Sequence, residues 1–161
     1  MVGKMIVFSL VSFLHDFFTV IWMGGLIVTA FVFLPSVKEV LGATPQTKKV
    51  IATFQKKQSV WVYVSMVGLI LTGLLMVNRS PEYVQLFSFA NPYSVALSIK
   101  HLLVLVMIGL SLYRSLVLGR QTGPSSPKTQ RFSAQLLLTN AILAILVLLN
   151  SGIIAALARP H

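Results

Sequence analysis

Four stretches of the chain are almost unbroken in apolar residues: Met5 to Leu34, Ser59 to Asn78, Val95 to Leu118 and Ser133 to Ala158. A hydrocarbon core of ~30 Å needs ~20 helical residues, and all four runs meet or nearly meet that length. The pattern predicts an all-α, integral membrane four-helix bundle formed as a single transmembrane domain. Lys4 ahead of the first run imitates a signal peptide. The run is too long for one, carries His15 and Asp16 near its centre and lacks a clear small-residue cleavage site, so it reads as a mature helix.

Local chemistry sharpens the helix starts. Thr44-Pro45, Asn91-Pro92 and Ser126-Pro127 each set a capping side chain before a proline suited to the first helical turn. The expected helices span about 5–34, 45–78, 92–118 and 127–158. Pro35 ends or kinks the first, and Ser36 to Leu41 offers a continuation. The second begins several turns before its apolar run, where Lys48, Lys49, Lys56 and Lys57 surround Val50, Ile51 and Phe54. Such a basic amphipathic segment is expected on or near a lipid surface.

Charge then orients the chain. Lys38, Lys48, Lys49, Lys56 and Lys57 fall in the first loop region, and Arg120, Lys128 and Arg131, with Arg114 nearby, in the third. By the positive-inside rule these two loops are cytoplasmic, and the N-terminus, the second loop with Arg79 and the C-terminus are extracytoplasmic. The expected location is the cytoplasmic membrane, crossed several times.

Composition agrees: 56% of the 161 residues are hydrophobic, the mean hydropathy is +0.86 and the net charge is +10. On a soluble domain that charge would suggest nucleic acid. Here it follows from topology and from attraction to anionic head groups, and no stacking platform accompanies it, so nucleic acid is not an expected partner. Cysteine is absent, which removes disulfides, iron–sulfur clusters, thiolate haem ligation and thiol nucleophiles. With three acids and three histidines scattered over separate segments, neither paired-carboxylate catalysis nor a zinc site is expected, and no catalytic residue is assigned.

Ionisable groups inside a span are candidates for function. They are His15, Asp16, Lys100 and His101. With both termini outside, the first and third helices run the same way. His15 then lies ~15 Å from Met5 and His101 ~13 Å from Pro92 along their helices. The two imidazoles are expected at similar depth, as a haem held between two helices requires, one on each face of the iron. In the first helix Ser12, His15, Thr19, Trp22 and Thr29 form a polar stripe at spacings of three, four or seven, with Gly24 and Gly25 beside Trp22 leaving room for a flat ligand or a close helix. In the second helix Trp61, Ser65, Gly68, Thr72 and Met76 form another. In the third, Lys100, Met107, Ser111 and Arg114 share a stripe from which His101 is displaced by ~100°, so either Lys100 or His101 can face inward. Haem propionates would need cations at the outer edge, where Arg79, Arg159 and Lys4 are expected.

A plainer alternative leaves the two histidines bonded to buried polar neighbours and pairs Asp16 with Lys100. Lys100 can also snorkel to the interface. Met23, Met66, Met76 and Met107 read as packing, and His161 as an exposed terminus. Gly68, Thr72, Ala141, Ala144 and Ala155 would allow close helix contacts, within the bundle or in a homo-oligomer.

The run His15-Asp16-Phe17-Phe18-Thr19-Val20-Ile21-Trp22-Met23-Gly24-Gly25, followed by Pro35, resembles the first helix of the copper-resistance D (CopD) family and of HemJ-type membrane proteins. Gly68-Leu69-Ile70-Leu71-Thr72-Gly73 resembles their second-helix signature, and Ile99-Lys100-His101-Leu102-Leu103 a third-helix segment in which lysine is the usual polar residue. The resemblance implies a four-helix membrane core with a functional His15 and Lys100. It also implies either b-type haem with protoporphyrinogen oxidation, as in HemJ-type proteins, or copper uptake, as in CopD proteins. His101 departs from that pattern. A second imidazole favours bis-histidine, six-coordinate haem b, which suits electron transfer to a quinone or another membrane redox partner. Four readings stand open: an electron-carrying cytochrome b, a CopD-like copper handler, a HemJ-like oxidase and a cofactor-free assembly subunit.

Overall fold

The computed structural model describes residues 2–76, 87–118 and 126–158. Four helices account for nearly all of them: α1 (Val2–Leu41), α2 (Pro45–Met76), α3 (Pro92–Leu118) and α4 (Pro127–Leu157). No strand occurs among the described residues. Each helix is long and apolar enough to cross a bilayer. Large apolar side chains such as Leu10, Val60, Leu74 and Leu149 are more than half exposed, which suits hydrocarbon rather than water. The chain is therefore an all-α, multi-pass membrane protein.

The three expected caps form. Thr44 Oγ1 accepts from the Thr47 N–H at 3.2 Å, Asn91 Oδ1 from Ser94 at 2.7 Å and Ser126 Oγ from Thr129 at 3.2 Å. Proline follows each cap, where its missing N–H belongs to the unpaired first turn and removes nothing. At Pro35 the helix does not stop. The turn just before it, Thr29–Phe33, widens to π-helical geometry, and α1 runs on to Leu41. A wider turn relieves the clash between the proline ring and the carbonyl one turn back. The helix ends at Gly42, whose φ of 61° is a left-handed conformation that glycine adopts without strain. Two further π-helical turns, Val20–Gly24 in α1 and Tyr113–Leu118 in α3, interrupt otherwise regular helix.

The chain forms two compact units, Met1–Leu75 and Met76–His161. In the first, α1 and α2 make an antiparallel hairpin with a short turn. Its register is read from side-chain contacts: His15 with Thr72, Phe18 with Gly68, Gly25 and Thr29 with Gln58, Phe33 with Phe54. Forty residues in α1 and 32 in α2 correspond to about 60 and 48 Å, well beyond a ~30 Å hydrocarbon core. The surplus is the basic end. Thr47, Ile51, Phe54 and Gln58, spaced by three and four, lie on the α1 side. Phe54 stacks on Phe33 at 3.9 Å between centroids. Lys48, Lys49, Lys56 and Lys57 are exposed on the remaining faces. On the apolar side of this segment Phe54 faces α1, Ile51 is half-buried and Val50 is exposed.

In the second unit α3 and α4 pack antiparallel. Leu137, Ala141, Ala144 and Val147 of α4 are buried, as are Met107 and Ser111 of α3. Asn140 fixes the level of the pair. Its Nδ2 donates to Ser111 Oγ at 2.7 Å and to the Met107 carbonyl at 3.3 Å. Tyr113 and Phe132 meet edge to face nearer the connecting loop. Ala155, expected at a helix contact, is exposed.

Candidate functional site

The polar stripes of the first two helices meet. On α1, His15, Trp22 and Thr29 lie seven residues apart; on α2, Thr72, Ser65 and Gln58 do the same in reverse. A seven-residue repeat returns to nearly the same face every ~10 Å, so the His15–Thr72 and Thr29–Gln58 pairs, the first and third rungs of the seam, set a register that puts Trp22 and Ser65 at one level, the second rung, between them. Trp61, expected on this stripe, is instead exposed.

The first rung sets the chemistry of His15. Its Nδ1 lies 2.9 Å from Thr72 Oγ1, and Thr72 donates its only hydroxyl proton to the Gly68 carbonyl at 2.7 Å. With that proton on the Gly68 carbonyl, the hydroxyl accepts from the imidazole, the arrangement that puts the ring proton on Nδ1 and the lone pair on Nε2. Thr19 Oγ1 donates to the His15 carbonyl at 2.8 Å, holding the backbone just before the π-helical turn. Below His15, the ring of Phe18 occupies the space that a side chain at position 68 would take. Glycine is required for that approach.

The third rung is closed as firmly. Gln58 Nε2 donates to the Gly25 carbonyl at 2.9 Å and to Thr29 Oγ1 at 2.6 Å, while Thr29 Oγ1 donates to the same carbonyl at 2.5 Å. A Cβ on Gly25 would stand 3.3 Å from the Gln58 amide nitrogen, so glycine here keeps room for the bond. The second rung differs. Trp22 and Ser65 are fully buried, yet Trp22 Nε1 and Ser65 Oγ have no hydrogen-bond partner.

In the second unit, His101 Nδ1 lies 2.7 Å from the Leu97 carbonyl. A carbonyl only accepts, so Nδ1 carries a proton and Nε2 is the lone-pair nitrogen of the neutral ring. Phe87 meets His101 at 6.3 Å between centroids with a steep interplanar angle. Phe87 has φ 57°, an uncommon conformation for a side-chain-bearing residue. Ser98 ties the same lead-in segment to α3 by donating to the Ser88 carbonyl at 3.1 Å.

Lys100 and His101 are both half-buried, and Asp16 is exposed. Met23, Met66 and Met107 are buried packing residues. Arg79, Arg159 and His161 lie outside the described residues, as do Glu82 and Arg120. No group of three or more His, Asp or Glu side chains gathers into a metal site among the described residues. No protein-family model, curated protein or solved structure matches the chain.

Attention to charge alone misses Gln58, Asn140 and Asn150. All three are neutral amides; Gln58 and Asn140 make interhelical bonds, and Asn150 is buried. The signal that finds them is an amide within or bordering a long apolar run, where the helix backbone leaves it nothing local to bond.

Proposed function

We propose that this chain is a membrane b-type haem protein in which His15 and His101 each offer Nε2 to the iron. The observation that carries the reading is that both imidazoles have Nδ1 committed, His15 to Thr72 and His101 to the Leu97 carbonyl. Histidine ligands of metals characteristically donate the second ring nitrogen to a hydroxyl, carbonyl or carboxylate, which fixes the tautomer and the ring plane. The donor set also suits haem better than a bare ion. It offers two neutral imidazoles and no thiolate, and the described residues hold no three-ligand cluster.

When bound, the haem would supply one-electron exchange between ferric and ferrous iron. The chain supplies the rest. Thr72 holds the His15 proton on Nδ1, and the Leu97 carbonyl does the same for His101. Phe87 packs edge-on against the His101 ring, and Phe18 fills the seam at Gly68, one turn from Thr72. With both imidazoles holding the group, haem would serve electron transfer to a quinone or a membrane redox partner rather than substrate oxidation. The resemblance of the His15–Gly25 run to CopD and HemJ-type proteins supports a functional His15. His101 argues for the bis-histidine form.

The test is an optical spectrum of the detergent-purified protein, expressed with ample haem, in oxidised and dithionite-reduced states. A sharp reduced α band, lost in both His15→Ala and His101→Ala, is the expected result. A colourless wild-type protein, or a band that survives both substitutions, refutes the proposal.

A further inference from the structure

The middle rung of the α1–α2 seam is built unlike its neighbours. Above it His15 bonds Thr72, and below it Thr29 bonds Gln58. Between them Trp22 and Ser65 are each 0% exposed, and Trp22 Nε1 and Ser65 Oγ are both buried with no partner. Serine in a helix usually returns its proton to the carbonyl one turn back, as Ser59 and Thr72 do here at 2.8 and 2.7 Å. Ser65 does not. An indole N–H can only donate, and a hydroxyl retains a proton to give, so the two groups together call for an acceptor. Dry, unbonded donors in a bilayer interior are costly enough that native structures rarely retain them.

The backbone at this rung is altered as well. Val20–Gly24, centred on Trp22, is one of the two π-helical turns of α1. Such single wide turns recur at functional positions, where they re-aim a side chain. Gly24 and Gly25 follow directly, and a Cβ at Gly24 would touch nothing nearer than Val20 Cγ1 at 4.0 Å. The rung thus combines two buried donors with a widened turn.

We infer that Trp22 and Ser65 form an internal binding site for one hydrogen-bond-accepting oxygen, lodged within the α1–α2 seam about 10 Å along the helix from His15. The acceptor is either a structural water or the carbonyl oxygen of a small apolar molecule such as a quinone. The shared chemistry is an oxygen that takes one proton from indole and one from serine. This site does not depend on haem, because neither residue ligates iron in the reading above.

The experiment uses the full chain with Trp61→Phe, which removes the exposed tryptophan and leaves Trp22 as the sole indole. The ¹⁵N–¹H indole resonance in bicelles reports whether Nε1–H is bonded. A downfield, bonded resonance that persists in weakened form in Ser65→Ala is expected. A resonance typical of an unbonded indole overturns the proposal. So does one lost entirely in Ser65→Ala, which would mean that Trp22 bonds Ser65 directly. Two arms identify the source, and either supports the site. Exchange cross-peaks to solvent that survive delipidation mark water; a signal lost on extraction and restored by decylubiquinone marks a ligand carbonyl.

Discussion

Gly68→Ala is a small change with a consequence that can be worked from the contact it disturbs. A Cβ at position 68 would fall inside the Phe18 ring, against three of its carbons. Alanine gains about 1 kcal/mol over glycine in helix propensity. Overpacking a fitted contact costs about 1–3 kcal/mol, and here the whole ring must leave its position. Because the ring itself must move, the upper part of that range, about 2–3 kcal/mol, applies, and the net loss expected is about 1–2 kcal/mol. Phe18→Ala clears the space, so alanine at 68 should be tolerated or stabilising in that background, with a coupling of about 2–3 kcal/mol between the two sites. Reversible SDS unfolding in lipid–detergent micelles, followed by circular dichroism, measures all four corners of the cycle. The reasoning fails if Gly68→Ala is neutral or stabilising with Phe18 in place, or if the two changes are additive. The contact lies one turn from both His15 and Thr72, so the same variant should also weaken any pigment bound at His15.

Asn140→Leu removes both bonds from α4 to α3 and should destabilise by about 0.5–1.5 kcal/mol, since interhelical hydrogen bonds in membranes are individually modest; SDS unfolding checks it. Gly42→Ala forces a side chain into a left-handed position and should cost about 1 kcal/mol in the same assay, while Gly3→Ala, which meets nothing within 4 Å, should be neutral or better. The chain has no cysteine, so single Cys substitutions at Lys48, Lys57 and Val2 can be labelled without background. Membrane-impermeant maleimide added to intact cells should miss positions 48 and 57 and reach position 2; the reverse pattern would invert the topology.

Much of the fold was legible because its signals are local. Three cap-plus-proline pairs announce helix starts through chemistry that needs no tertiary partner. Spacing also found the seam: His15, Trp22 and Thr29 on one helix, Ser65 and Thr72 on the other. It could not tell which helix each would meet, because in an apolar span lipid-facing and helix-facing positions have similar composition. Trp61 shows the cost, sharing the period of Ser65 and Gly68 yet exposed. The basic segment at Lys48–Lys57 has a pattern shared by lipid-surface helices and by helices covering another helix. The stacking of Phe54 on Phe33, which shows that part of the segment covers α1, is a non-local contact. The role of Thr72 followed only once its hydroxyl was placed within bonding distance of both the Gly68 carbonyl and the imidazole.

The account rests on the tautomer of the two intramembrane histidines, and that can be observed directly. The measurement is ¹⁵N NMR of imidazole-labelled, haem-free protein in bicelles at neutral pH, with His161→Gln to leave two rings. Both His15 and His101 should show a protonated Nδ1 and a lone-pair Nε2, and Thr72→Val should release the preference at His15 alone. A proton on Nε2 at either ring, or a His15 signal indifferent to Thr72→Val, would contradict the account.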